Sequence, residues 1–100
     1  MRTFNLVTLL GDQVSGLEPI VCADRREAVA YSCGVLTERT KSHGEMFASL
    51  GVRWVVEEGE RSLSDPELAA GLVVGTWTTV VLGERPRLDW APDVGLKLNP

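Results

Sequence analysis

Two cysteines and one histidine are the residues of this chain best suited to act as a nucleophile and its base. A thiolate–imidazolium pair needs the two side chains in hydrogen-bond contact. Cys33 and His43 are ten residues apart, which spans about 15 Å on one continuous helix. Only a chain reversal over residues 40–44 would join them. We therefore expect buried thiols and a solvated histidine, with a thiol-dependent enzyme using Cys33 or Cys22 with His43 as an alternative.

Metal and cofactor sites have little support in the sequence. A structural zinc takes four Cys or His ligands, one more than the three such residues present. Gly11 and Gly16 have the spacing of two phosphate-loop glycines. However, no Gly-Lys-Ser/Thr follows, and a strand rather than a helix is predicted next. We expect no metal and no cofactor, and we interpret Gly11–Gly16 as the loop of a β-hairpin.

Five carboxylates lie within residues 57–67, and this stretch carries the whole net charge of −4. The residues are Glu57, Glu58, Glu60, Asp65 and Glu67. General acid–base catalysis would need one of them in a dry pocket with a raised pKa, whereas this stretch is typical of an exposed loop. We predict an acidic patch in which Glu57, Glu58 and Glu60 steer a basic partner surface.

Trp90 stands in the proline-punctuated segment RPRLDWAP, residues 85–92. Either it folds back to cap the core, or it anchors another chain, since tryptophan is enriched at interface hot spots. The hypothesis we carry forward is an extended arm that pairs along a sheet edge. Its apolar contacts would be Trp90 and Leu88, together with Leu96 or Leu98.

Charge and hydropathy exclude two classes of partner. The pI near 4.9 leaves no basic footprint for a phosphate backbone, and no apolar run approaches the roughly 18 residues of a membrane span. We expect a protein partner, a second copy of this chain included. Two cysteines cannot build the disulfide framework of a small secreted domain, so we expect a cytoplasmic or other reducing compartment.

Strand signals recur along the chain as short β-branched and apolar runs. Pro19 cannot donate to a ladder, which places its strand at a sheet edge or start. Gly75 predicts a bulge or bend within the longest run. The predicted strands are Thr3–Leu10, Leu17–Ala23, Val52–Glu57 and Leu72–Leu82, and residues 94–98 alternate like an edge strand or an arm.

The main helix is signalled by Asp24 and Glu27, which have capping-box spacing, with Glu27 reaching back to the Asp24 amide. We predict that this helix runs to about Lys41. Gly34 within it predicts close approach to a neighbouring element, because glycine otherwise weakens a helix.

A second helical segment is predicted to start at Ser42 and to end before Gly51, with a break near His43 and Gly44. The alternative is one long bent helix from Arg25 to Leu50. Residues 64–71 predict a further short helix with proline at its first position.

These elements predict one α+β domain over residues 1–83, followed by an extended tail or arm over residues 84–100. Its sheet is mostly antiparallel, with four to five strands and the main helix on one face, and the other face is expected to be open. The expected order is strand, strand, helix, short helix, strand, short helix, strand, tail. We expect a small non-enzymatic protein-interaction module, such as an accessory subunit or a homo-oligomer. A small-ligand-binding regulatory domain, with its pocket between sheet and helix, is the other alternative.

Overall fold

The computed structural model describes residues 1–59, 72–83 and 85–93. The predicted short helix at residues 64–71 and the alternating segment 94–98 lie outside these residues. The elements are β1 (Arg2–Leu10), β2 (Gln13–Cys22), α1 (Arg25–Leu50), β3 (Arg53–Glu58), β4 (Leu72–Leu82) and β5 (Arg85–Pro92).

All five strands form one antiparallel sheet in the order β2-β1-β3-β4-β5, with α1 packed on one face. This confirms the predicted α+β fold and the edge position of the strand that contains Pro19. The tail predicted to begin at residue 84 is wrong for residues 85–92, which form β5 beside β4. Two prolines and alternating charges suggested irregular chain, although an edge strand tolerates both.

The hairpin of β1 and β2 closes through a shorter loop than predicted. Both strands continue to a two-residue turn at Gly11 and Asp12. Gly11 has φ 63°, as the first central position of a type II′ turn requires. Gly16 lies within β2, where the register shifts by one residue opposite Thr8 and Leu9.

The capping box at the start of α1 is confirmed with one change of partner. Asp24 accepts a hydrogen bond from the Glu27 amide at 2.9 Å, whereas Glu27 accepts from the amide of Ala23 at 2.6 Å rather than from that of Asp24. Gly51 ends the helix in the left-handed region at φ 67°.

The predicted break in the helix is a kink rather than a gap. His43 has non-helical angles (φ −136°, ψ 18°), yet the chain is helical on both sides of it. Close packing explains Gly44: a Cβ there would lie 2.6 Å from Cβ and Cγ of Pro86 on β5. At Gly34 a Cβ would meet nothing within 4 Å, so the close approach predicted at that residue is wrong.

The core lies between α1 and the sheet. Its largest fully buried side chains on this face are Trp54, Phe4, Leu6 and Leu36. The opposite face is not open at its centre as expected, because Asn5, Val7 and Glu57 there are only 2%, 2% and 3% exposed. In the part of the chain that the structure describes, no helix is long and apolar enough to cross a membrane.

Candidate protein-interaction surface

Strand β5 is an edge strand, and the direction of its peptide groups decides what it can offer a partner. The amide of Asp93 donates to the carbonyl of Val74 on β4 at 3.1 Å. Because strand peptide groups alternate in direction, odd-numbered amides of β5 point towards β4 and even-numbered amides point away. Pro86 and Pro92 occupy outward positions, where a missing donor does not weaken the sheet.

The outer edge of β5 therefore presents two N–H donors, those of Leu88 and Trp90. The carbonyls at the same positions and at the two prolines also point outward, because N–H and C=O of one strand residue share a direction. β5 thus offers a short donor row flanked by acceptors, which an extended segment of another chain can match.

Trp90 is held on the fold instead of extending from it. It lies opposite Trp77 in the register of β4 and β5, with ring centroids 4.7 Å apart. Its ring covers Gly75, where a Cβ would lie 2.4 Å from Cζ2 of Trp90. Trp77 in turn donates from Nε1 to Oγ of Ser32 on α1 at 2.9 Å. Trp90 remains half-buried, so it packs on the core and still shows part of its ring.

An apolar groove of about 670 Å³ runs between the first half of α1 and strands β4 and β5. Trp77 and Trp90 form its sheet side, Val29 and Cys33 line it from the helix, and Arg26 lies at its end. A second groove of about 440 Å³ continues along α1 beside Leu88. Both grooves border the outward edge of β5, so an added chain would contact apolar surface as well as peptide groups.

The other side of β5 carries charge. Arg85, Arg87 and Asp89 are exposed, and their register opposite Leu82, Val80 and Thr78 places them on the sheet face away from α1. Among the residues that the structure describes, Arg87 and Asp89 take part in no ion pair.

The predicted acidic patch is built differently from the expected exposed loop. Glu58 accepts hydrogen bonds from Arg2 at 2.7 Å and from Arg25 at 3.0 Å, and these two bonds hold the pKa of the Glu58 carboxyl below its ordinary value. Glu57 is almost fully buried, and Glu60 lies outside the described residues. Glu58 therefore ties β3 to β1 and to the start of α1.

The thiols and the imidazole are not brought together. Cys22 lies on β2, and its Sγ donates to the carbonyl of Asp24 at 3.3 Å. Burial raises the pKa of the Cys22 thiol above its ordinary value. Cys33 and His43 both lie on α1, and His43 faces Phe47 with ring centroids 6.1 Å apart. Within residues 1–59, 72–83 and 85–93, no three His, Cys, Asp or Glu side chains form a group that could hold a metal ion.

Leu88 and Trp90, both singled out from the sequence, lie on one strand; Leu96 and Leu98 are beyond the described residues. The sequence reasoning missed Trp77, Arg87 and Asp89 as their neighbours. A signal for β5 was present: its prolines share one parity with Leu88 and Trp90, and its charged residues share the other. Comparison of the chain with protein-family models, curated proteins and solved structures finds no match.

Proposed function

We propose that this chain is a small non-enzymatic protein-interaction module that binds an extended protein segment along β5. The observation that carries the proposal is the outward edge of β5, with the amides of Leu88 and Trp90 as donors beside an apolar groove. Addition of a strand to a sheet edge gains affinity from main-chain hydrogen bonds, while neighbouring pockets select the side chains.

The groove supplies the selective contact. Side chains of an added strand alternate between the two faces, so every second one would lie beside Trp90 and the flank of α1. Buried aromatic surface contributes strongly at interfaces. We therefore expect the bound segment to carry apolar side chains on the α1 side.

The second sheet edge is a natural control. β2 has Pro19 among its outward positions, and Val21 on it is 62% exposed. The cavity beside β2 includes Met1 and Tyr31, but no tryptophan lines it. An edge without the aromatic groove should bind extended chain less well.

The experiment is photo-crosslinking in the native source. A photoreactive phenylalanine analogue replaces Arg85 on β5 in one variant and Val21 on β2 in another. We expect a covalent protein adduct from the β5 variant and little from the β2 variant, and mass spectrometry of the adduct would identify the partner. Equal adducts from both edges, or none from β5, would contradict the proposal.

A small-ligand site is the second candidate, because the groove of about 670 Å³ falls within the usual 300–1,000 Å³ of ligand pockets. It lies on the flank of α1, while the space directly under α1 is filled by Phe4, Leu36 and Trp54. A bound ligand would raise the melting temperature of the purified protein. Replacing Trp90 with alanine should abolish that rise.

A further inference from the structure

We infer that the segment which binds β5 is β5 of a second copy, paired antiparallel about a two-fold axis at Leu88. This inference rests on the proposed use of the β5 edge. It follows from three features: the positions of the outward donors, the order of charges along the strand, and the shape of the adjoining flank of α1.

The donors are matched in this register. Leu88 lies opposite Leu88 of the partner subunit, and residues that face each other with outward peptide groups exchange two hydrogen bonds. The amide of Trp90 then lies opposite the carbonyl of Pro86 of the partner subunit, and the symmetric bond forms on the other side of the axis. Both outward amides of each copy then donate a hydrogen bond to a carbonyl of the other copy, and no bond in this register needs a proline as donor.

The charges favour this register over the two that are centred one residue away, on Arg87 or on Asp89. Arg87 lies opposite Asp89 of the partner subunit, and two such pairs form across the axis. These are non-hydrogen-bonded pairs, in which side chains approach most closely. Centring the axis on Arg87 would set Arg87 opposite its own copy, and centring it on Asp89 would do the same for Asp89. Like charges directly opposite one another are destabilising.

The helices fit the same arrangement. A two-fold axis perpendicular to the sheet places both copies of α1 on one face. α1 packs chiefly over β4 and β5, so with strands about 4.8 Å apart the two helices would lie about 10 Å apart, a normal packing distance. The flank of α1 that borders the β5 grooves carries the small side chains Ala30, Cys33 and Thr37 between Arg26 and Lys41, so the two helices would approach each other at these small residues.

The test is the mass of the purified full-length protein by light scattering and sedimentation equilibrium. We expect twice the chain mass of 10.9 kDa. Arg87→Glu and Asp89→Arg should each weaken the dimer about tenfold or more, because each change turns two attractive cross-strand pairs into repulsive ones. The double variant R87E/D89R restores opposite charges and should recover the dimer. Arg85→Glu, on the same face of the same strand, lies opposite Ala91 of the partner subunit and only diagonal to Asp89 of the partner subunit, so it should weaken the dimer much less than Arg87→Glu.

A second measurement locates the contact. Amide hydrogen exchange at Leu88 and Trp90 should slow as protein concentration rises, while the outward amide of Val21 on β2 should not change. Circular dichroism of each variant verifies that the fold is retained.

Several results would overturn the inference: a wild-type mass of one chain, a dimer insensitive to both charge reversals, or a double variant that stays dissociated. A monomeric wild type whose β5 still crosslinks to another protein would overturn the second copy as occupant and leave the proposed function standing. A monomer without any β5 adduct would overturn both.

Discussion

At the scale of single residues, Glu58 makes the clearest long-range polar contact in the described chain. Its Oε1 accepts a hydrogen bond from Arg25 and its Oε2 accepts one from Arg2. The Glu58 side chain is 22% exposed. The two arginines lie on different elements, so one carboxylate connects β1, β3 and α1. These bonds favour the ionised form of Glu58 and lower its pKa from an ordinary value of 4.5.

Glu58→Gln should destabilise the fold in a pH-dependent way. A group with a lowered pKa in the folded state contributes stability above its unfolded-state pKa, and that contribution is lost as the pH falls through the folded-state pKa. The difference in unfolding free energy between wild type and variant should therefore be largest near neutral pH and shrink below about pH 4. Urea denaturation across the pH range measures it.

The control is Glu38→Gln, which removes an exposed pair with Lys41. Exposed pairs contribute little, so this variant should follow the wild type at every pH. A Glu58→Gln effect that does not change with pH would mean that its charge is not the stabilising feature.

The two thiols should differ in reactivity. Cys22 is 8% exposed and has a raised pKa, whereas Cys33 is half-exposed along the groove. Because the thiolate is the nucleophile, we expect iodoacetamide to label Cys33 well before Cys22 at pH 7.5, measured by peptide mass spectrometry. In urea the two rates should converge. Faster labelling of Cys22 in the native protein would contradict the burial described above.

At the scale of elements, the sequence predicted the features that depend on residues close together in the chain, such as the ends of α1. Asp24 with Glu27 marked the start of α1, Gly51 marked its end, and Pro19 marked an edge strand. β5 was missed because proline and charge are common to tails and to edge strands, and only pairing with β4 distinguishes them. The role of Glu58 could not be predicted, since Arg2 is 56 residues away in the chain.

The candidate site was predicted only in part, because the sequence displays residue types but not the pairing of strands. Leu88 and Trp90 were selected by residue type, which a sequence displays directly. Their contact with Trp77 depends on the strand register, and their position at an edge depends on which of the described strands comes last in the sheet. That the edge binds a partner stays a prediction.

The contact between α1 and β5 can be tested with two glycines of the same helix. Gly44→Ala places a Cβ against Pro86, and such overpacking costs about 1–3 kcal/mol. Gly34→Ala enters open space and should stabilise the helix by up to about 1 kcal/mol. Urea denaturation of both variants measures the difference. Equal stabilisation by the two changes would mean that Pro86 does not pack against the helix as described.

At the scale of the whole molecule, stability should decrease from the centre of the sheet to its edges. β1 and β3 each have a strand on both sides, and opening them requires the sheet to separate. We expect the amides of Val7 and Val55, which are paired across β1 and β3, to exchange among the slowest in the described chain. The outward amide of Val21 should exchange among the fastest. Hydrogen exchange followed by NMR measures all three, and comparable protection at Val21 would show that β2 is covered.

The prolines on the two outermost strands limit how far the sheet can grow. Fibril growth needs uninterrupted rows of backbone donors that template one layer after another. Here Pro19 interrupts the row of outward amides on β2. On β5, Pro86 and Pro92 limit that row to the residues between them. A concentrated solution of this protein should accordingly stay free of thioflavin-positive material, since accretion would stop after a single added layer.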